Sequence, residues 1–349
     1  MSLYKSAAGL GLAIFSLGFC GCNGGFYKPG DAGKEPVANA VSGAIPYDGS
    51  GTVRMEDGVD LHVFSRGHGR NVLVVHGGPG YPNDGPWPAF EELTGSYRFV
   101  YYDQRGCGGS SRPIPEFGKN FYKNMLALDA SLGLKKHIED IERFRRLLGD
   151  EKLILAGHSY GGFIASLYAC EFPEKVEKLI LVSPADLLAM PTEIDLYSSV
   201  GRLLDGDDKK NFDAYMKGYF DYSKIFEKSE ADLVRQNYEF IPFFAKAYEA
   251  AGNAPLHTLP APDSIAGFGH HAMFLGMPRK YDWRECLKSV PVPVLVVRGG
   301  RDLTPPASST YETLFPNTDS AVIQNAGHYM FNETPGEFAA LFDAFAAGK

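Results

Sequence analysis

Between residues 52 and 182 short apolar runs alternate with longer amphipathic stretches. Thr52–Met55 and Val59–Phe64 flank Glu56-Asp57-Gly58, which predicts a hairpin. Asn71–Val75, Tyr97–Tyr102, Lys152–Ala156 and Lys178–Val182 are short and largely apolar, as buried strands are. Between the second and third of these, Leu134, Ile138, Ile141, Phe144 and Leu148 recur at helical spacing with charges between them, and Gly149 ends the pattern. Another helix runs from residue 159 to Phe172, where Pro173 stops it. The rhythm returns late in the chain, with strands at Val292–Val297 and Ala321–Ile323 and a last amphipathic helix over Pro335–Ala347. Strands that alternate with helices through short loops predict an α/β fold: a mostly parallel central sheet with helices on both faces.

The alternation breaks at Ser183-Pro184. Residues 185–284 contain no convincing buried strand but carry Tyr- and Phe-rich amphipathic stretches, Phe212–Phe226 and Ala231–Tyr248 among them. They predict a helical cap inserted into a core made of residues 51–184 and 285–349. Residues 23–50, rich in Gly, Pro, Ala and Lys, read as a flexible tether. Ahead of them Lys5 precedes an apolar run, Ala7–Cys20, in which only Ser16 is polar. That run is too short for a permanent membrane span and suits a signal peptide over residues 1–22. Its end, Phe19-Cys20-Gly21-Cys22, resembles a bacterial lipoprotein signal, in which a small residue precedes the lipidated cysteine. Gly21 satisfies that rule for Cys22, and Phe19 fails it for Cys20. The expectation is an exported lipoprotein anchored to the membrane through Cys22 and facing the periplasm or exterior. A plain cleaved signal, giving a soluble periplasmic or secreted protein, and an uncleaved anchor are the alternatives.

The chemistry centres on Gly157-His158-Ser159-Tyr160-Gly161, an instance of G-x-S-x-G. Ser159 needs a sharp strand-to-helix turn that pushes its hydroxyl outward, and two residues without Cβ let the backbone close around it. A serine nucleophile needs a base, and the base needs an orienting acid. Asp302, in the loop after Val292–Val297, and His328, in the loop after Ala321–Ile323, lie at the carboxyl ends of strands where ligands collect. Asp186 is a competing acid without the surrounding pattern. His158 is expected to pack under the turn. The backbone N–H groups of Tyr160 and Gly78, with Gly77 in reserve, are the candidate oxyanion donors.

Net charge and cysteines narrow the rest. The formal net charge is −8 with no basic run, which argues against nucleic acid as a partner. No C-x-x-C or Cys/His cluster suggests a metal, and the motifs call for no cofactor. Beyond the signal, Cys107, Cys170 and Cys286 cannot all pair and read as small buried residues.

Three blocks then stand together: His76-Gly77-Gly78-Pro79-Gly80, Asp103-Gln104-Arg105-Gly106-Cys107-Gly108-Gly109-Ser110 and Gly157-His158-Ser159-Tyr160-Gly161-Gly162. With the ordered Ser159, Asp302 and His328 they resemble the prolyl aminopeptidase (proline iminopeptidase) branch of the α/β-hydrolase superfamily. The resemblance implies an α/β-hydrolase fold, no metal, and serine-dependent release of an N-terminal residue, often proline, from short peptides. It implies that the Asp103-Gln104-Arg105 block shapes the loop beside the site. It also implies cap glutamates that hold the substrate's free amine. The comparable cap stretch here, Gly267–Phe274, has no Glu. Glu227, Glu230 and Glu239 remain possible anchors, and Glu239, His270 and His271 are the candidate substrate-binding residues of the cap. Two enzyme readings follow: an aminopeptidase on short peptides, or a hydrolase of a small ester or amide. A lipoprotein that binds a ligand without turnover is the third. Oligomeric state is left open.

Overall fold

The alternation of the sequence becomes a single sheet in the computed structural model, which describes residues 26–191, 195–256, 260–303 and 310–348. The signal segment and Cys22 lie outside the described residues. Strands β1 (Gly49–Glu56) and β2 (Val59–Gly67) form the expected antiparallel hairpin, and Gly58 at its turn has φ +76°. Strands β3 (Arg70–Val75), β4 (Tyr97–Tyr102), β5 (Leu153–His158) and β6 (Val176–Val182) follow. After the cap come β9 (Val294–Gly299) and β10 (Thr318–Ile323); between β6 and β9 in chain order, two-residue strands β7 (Ala189–Met190) and β8 (Tyr281–Asp282) pair across the neck of the insertion. The sheet has eight strands in the order β1-β2-β4-β3-β5-β6-β9-β10, and only β1–β2 and β2–β4 run antiparallel.

Side chains alternate across each strand, so neighbours feed opposite layers. Leu73 and Val75 join the apolar layer under helices α2 (Leu134–Leu148) and α3 (Tyr160–Glu171). Val72 and Val74 join the other layer, with Trp87, Phe90 and residues of α11 (Met330–Glu333) and α12 (Pro335–Ala347). Both faces are covered, as expected.

The cap is cut differently from the sequence reading. Its helices are α4 (Leu196–Leu203), α5 (Gly206–Tyr219), α6 (Glu230–Tyr238), α7 (Phe240–Ala250) and α8 (Phe268–Gly276). The stretch Ala231–Tyr248 is two helices because Pro242 lacks an N–H and is tolerated only in the first turn of a new helix. An unforeseen helix, α1 (Phe121–Leu132), packs on α8 from the core side.

Two further readings are corrected. The described part of the tether, residues 26–48, is docked rather than free. Tyr27 and Ala32 are buried, the Tyr27 hydroxyl donates to Glu171 at 2.7 Å, and the Gly30 and Gly33 N–H groups donate to the same carboxylate. Its composition concealed this because the buried side chains, Tyr27, Ala32, Val37 and Ile45, follow no helical or strand period, and backbone N–H groups supply other contacts. The second correction concerns cysteine. Cys170 of α3 and Cys286 of α9 (Arg284–Lys288) form a disulfide across 116 residues of sequence, leaving Cys107 buried and free. The bond joins the helix that follows Ser159 to the point where the chain returns from the cap. Among the described residues no helix is long and apolar enough to cross a membrane.

Candidate active site

Ser159 stands between β5 and α3 with φ +53° and ψ −120°, a conformation that costs a non-glycine residue about 1–3 kcal/mol. Its neighbours hold it there. The Ser159 N–H donates to Val182 O at 2.9 Å, and the Ser159 carbonyl accepts from Gly162 and Ala185 at 2.9 and 3.0 Å. A Cβ at Gly157 would lie 2.5 Å from Gly161 O, and one at Gly161 would fall on the Val75 carbonyl. Both glycines of the motif are therefore steric necessities.

The predicted acid and base meet beside this turn. His328 Nδ1 lies 3.0 Å from both carboxylate oxygens of Asp302, and both side chains are buried. Asp302, not Asp186, is the acid brought to the imidazole. With Nδ1 committed to Asp302, Nε2 is the nitrogen left to exchange a proton with a hydroxyl. His158 sits under the turn, as expected. Its Nε2–H donates to the His328 carbonyl at 2.9 Å, and the two rings are 4.6 Å apart, so the residue before Ser159 fixes the backbone of His328. Burial holds the His158 imidazole well below its ordinary pKa, and it is neutral.

The loop after β3 approaches from the other side. Gly77 is the residue packed on Ser159: a Cβ there would lie 3.1 Å from Ser159 Cβ. Gly78 follows with φ +124°, and a Cβ there would fall on the Gly80 nitrogen and lie 2.7 Å from that of Tyr81. Among the described residues the N–H groups of Gly77, Gly78 and Tyr160 have no acceptor. The loop is locked from below. The Gln104 N–H donates to His76 Nε2 at 3.0 Å, the Gln104 amide donates to His76 O at 2.8 Å, and His76 Nδ1–H donates to Gly77 O at 2.8 Å. Arg105 is fully buried on Asp140 and Glu56, at 2.7 and 2.8 Å. The Asp103-Gln104-Arg105 block shapes this loop, as the resemblance implies.

The cap closes over these groups with rings. Phe244 lies 6.5 Å from the His328 ring, Phe240 is 6.2 Å from Phe244, and Tyr197 is 5.1 Å from Phe240. Tyr219 continues the series to His270, whose Nδ1–H donates to Pro79 O at 2.9 Å and whose Nε2 accepts from the Tyr219 hydroxyl. The rings thus run from the base to the Gly-rich loop. Burial raises the pKa of the Tyr81, Tyr197, Tyr219 and Tyr329 phenols, pulls His270 down to about 4, and holds His271 well below its ordinary value. Every titratable ring in the series is neutral at pH 7.

The cap candidates named from sequence are not brought together as one site. Both nitrogens of His270 are engaged by protein groups, so it ties the cap to the 77–80 loop. His271 is buried beside Tyr222, and among the described residues neither its nitrogens nor the Tyr222 hydroxyl has a hydrogen-bond partner. Glu239 is exposed at the break between α6 and α7, and Glu227 is also exposed. Glu230 pairs with Arg112 at 2.7 Å and accepts from the Gly267 and Phe268 N–H groups at 2.9 and 2.7 Å, which occupies it at the start of α8. Sequence reasoning missed Glu333, which accepts from the N–H groups on either side of His328. The one signal for it is an acid about one helical turn after the base.

The family described as alpha/beta hydrolase fold matches residues 70–335. The proline iminopeptidase of Lactobacillus helveticus (strain DPC 4571) is 25% identical over 277 residues, covering 77% of this chain and 87% of that protein. A solved structure of a proline iminopeptidase from Mycobacterium smegmatis superposes with TM-score 0.56 at 20% identity, covering 86% of this chain and 98% of the other. A thermophilic esterase from Thermogutta terrifontis superposes with TM-score 0.53 at 21% identity over 83% of this chain and 94% of the other. The fold is common to all of these, and the named chemistries differ.

Proposed function

The chain belongs to the α/β-hydrolase fold family, and within it we propose a serine hydrolase working through Ser159, His328 and Asp302. Ser159 Oγ attacks the substrate's acyl carbon while His328 Nε2 takes its proton. Asp302 holds the imidazole in the tautomer that leaves Nε2 ready and stabilises the imidazolium as it forms. The oxyanion is received by the N–H groups of Tyr160, at the start of α3, and Gly78. His328 then returns the proton to the leaving group. Water, activated by the same nitrogen, releases the acyl group from Ser159. The observation that carries this reading is the His328–Asp302 contact at 3.0 Å beside the strained Ser159 turn. Serine-directed fluorophosphonate labelling tests it: labelling absent from the wild type, or retained in Ser159→Ala, favours the ligand-binding alternative.

The substrate reading is an aminopeptidase that releases proline or another small or apolar N-terminal residue from short peptides. The relatives named proline iminopeptidase support it. A specific observation favours the second reading, a small neutral ester or amide. The rings over the site are neutral, Glu230 is occupied, and Glu227 and Glu239 are exposed, whereas a buried ammonium needs a partner. Pro-, Ala- and Leu-arylamides compared with their N-blocked forms and with acyl esters separate the two. A free-amine requirement supports the peptidase, and equal cleavage of blocked substrates supports the esterase or amidase.

Export and lipidation at Cys22 belong to the same proposal. The apolar signal run and the Cys170–Cys286 disulfide, a bond that persists in oxidising compartments, support export. Labelling with a palmitate analogue tests the anchor, and label surviving in Cys22→Ser excludes that cysteine.

A further inference from the structure

His328 is gripped at its backbone as well as at its ring. The Gly327 N–H donates to Glu333 Oε2 at 2.8 Å, and the Tyr329 N–H donates to Glu333 Oε1 at 3.0 Å. One carboxylate therefore brackets the base. A third donor on that carboxylate comes from the cap: the Tyr248 hydroxyl, in the last turn of α7, donates to Oε1. The same end of the cap also holds the acid loop. The Asn253 amide donates to Arg301 O, one residue before Asp302, at 3.0 Å, and Arg301 Nη1 donates back to Gly252 O at 2.9 Å. Gly327 has no room for a Cβ because the Tyr248 hydroxyl and Asn253 Oδ1 fill that space.

From this arrangement we infer that Glu333 is a positioning residue for His328, and that the Tyr248–Glu333 contact makes alignment of the base depend on the docked cap. Hydrogen bonds to an ionised carboxylate are shorter and stronger than neutral ones, so the bracket fixes the loop more firmly than backbone pairing would. Reaction rates are steep in such placement: an error of ~1 Å costs about 10²-fold. The inference rests on reading Ser159, His328 and Asp302 as the reacting groups. It goes beyond that reading by making α7 part of the machinery rather than a lid alone.

The experiment is the rate of fluorophosphonate labelling of the full chain, resolved into the maximal rate and the half-saturating probe concentration. In Glu333→Gln one acceptor oxygen becomes an NH₂ facing a donor, so the bracket cannot stay whole. The maximal rate is expected to fall about 10–100-fold while half-saturation stays within about twofold. Tyr248→Phe keeps the ring packing and removes one donor, with an expected loss of about 3–10-fold. The double variant is expected to be no slower than Glu333→Gln alone, because both changes break one unit. A Glu333→Gln chain labelled within about twofold of the wild-type rate overturns the inference, and so does a loss matched by an equal rise in half-saturation, the mark of a generally loosened site. Multiplying losses in the double variant overturn the coupling to the cap. Should Glu333→Gln not fold, an unchanged rate in Tyr248→Phe overturns that coupling by itself. Absence of Ser159-dependent labelling in the wild type instead sinks the hydrolase reading, and this inference with it.

Discussion

The turn that carries Ser159 and the cap that covers it are built by different means. Around Ser159 the positions are set by backbone: four hydrogen bonds hold its N–H and carbonyl, two glycines allow the approach, and the His158 ring holds the carbonyl of His328. Over it, positions are set by rings contributed by separate helices, with Phe244, Phe240, Tyr197 and Tyr219 packed edge to face or tilted on one another. Backbone geometry of the first kind is announced by one short run of residues, Gly157–Gly161, although its partners lie on neighbouring strands and loops. Ring packing of the second kind depends on where several distant segments meet. On the proposed reading the first sets the chemistry and the second the choice of substrate.

The largest expected effects test the backbone-built side. Ser159→Ala should abolish hydrolysis, a loss on the order of 10⁶-fold in kcat, and Asp302→Asn should lower it by about 10⁴-fold by disturbing the imidazole tautomer. Both variants should keep the wild-type melting curve, since neither removes a packing group. Loss of activity together with loss of fold would mean that the two residues are structural.

The same division explains what could be read from the sequence. The order of Ser159, Asp302 and His328 was legible because each follows a strand, and carboxyl ends of parallel strands share one edge. Gly157 and Gly161 were legible because the turn admits no Cβ there. The break between α6 and α7 at Glu239 was missed although Pro242 marks it, because the apolar spacing of Ala231–Tyr248 continues across the break. Docking of residues 26–33 was illegible. Their anchor, Glu171, lies over 130 residues away, and the groups it binds include two glycine N–H groups, which no side-chain pattern reports. The Cys170–Cys286 pair was hidden for the same reason: 116 residues separate partners that only the path of the cap brings together.

That disulfide sets the next test, since it binds the backbone-built side to the neck of the cap. Closing a loop of this length stabilises by about 4–5 kcal/mol in the chain-entropy account. A Cys170→Ser, Cys286→Ser double variant, or reduction of the wild type, should lower the denaturation midpoint accordingly. An unchanged midpoint would show that α3 and α9 are held together by packing alone, and would remove one support for export.

Asp129 tests the seam itself. It lies in α1 against α8, and its carboxyl group fits only because Gly133 and Gly276 carry no Cβ. Burial pushes its pKa from 3.8 up to about 7. The folded chain therefore keeps a proton that the unfolded chain has already lost. Stability attributable to this group falls as pH rises through the window from about 4 to about 7, and the cost is complete above it. Asp129→Asn should be more stable than the wild type by roughly 4 kcal/mol at pH 8 and no more stable at pH 4. Urea denaturation at the two pH values measures this. A gain independent of pH would mean that the carboxyl group ionises freely and that the seam is wetter than the packing indicates.

The smallest effect bears on whether the ring-built side reaches the 77–80 loop at all. Tyr219 donates to His270 Nε2, and His270 Nδ1 donates to Pro79 O, one residue beyond Gly78. Tyr219→Phe keeps the ring contacts and leaves a buried nitrogen short of its donor, which costs about 1–3 kcal/mol where nothing replaces it. Tyr197 stands 3.5 Å from the same nitrogen and can take up part of the loss, so the expected destabilisation is near the low end, about 1 kcal/mol. If the contact to Pro79 transmits position, kcat should fall by a few-fold with KM little changed, because the disturbed groups are then the proposed oxyanion donors rather than the ring surface. If it does not, KM alone should move, since only the cap lining has changed. The first outcome makes His270 a strut between cap and core; the second returns it to the wall of the substrate pocket, where its place in the sequence first suggested it.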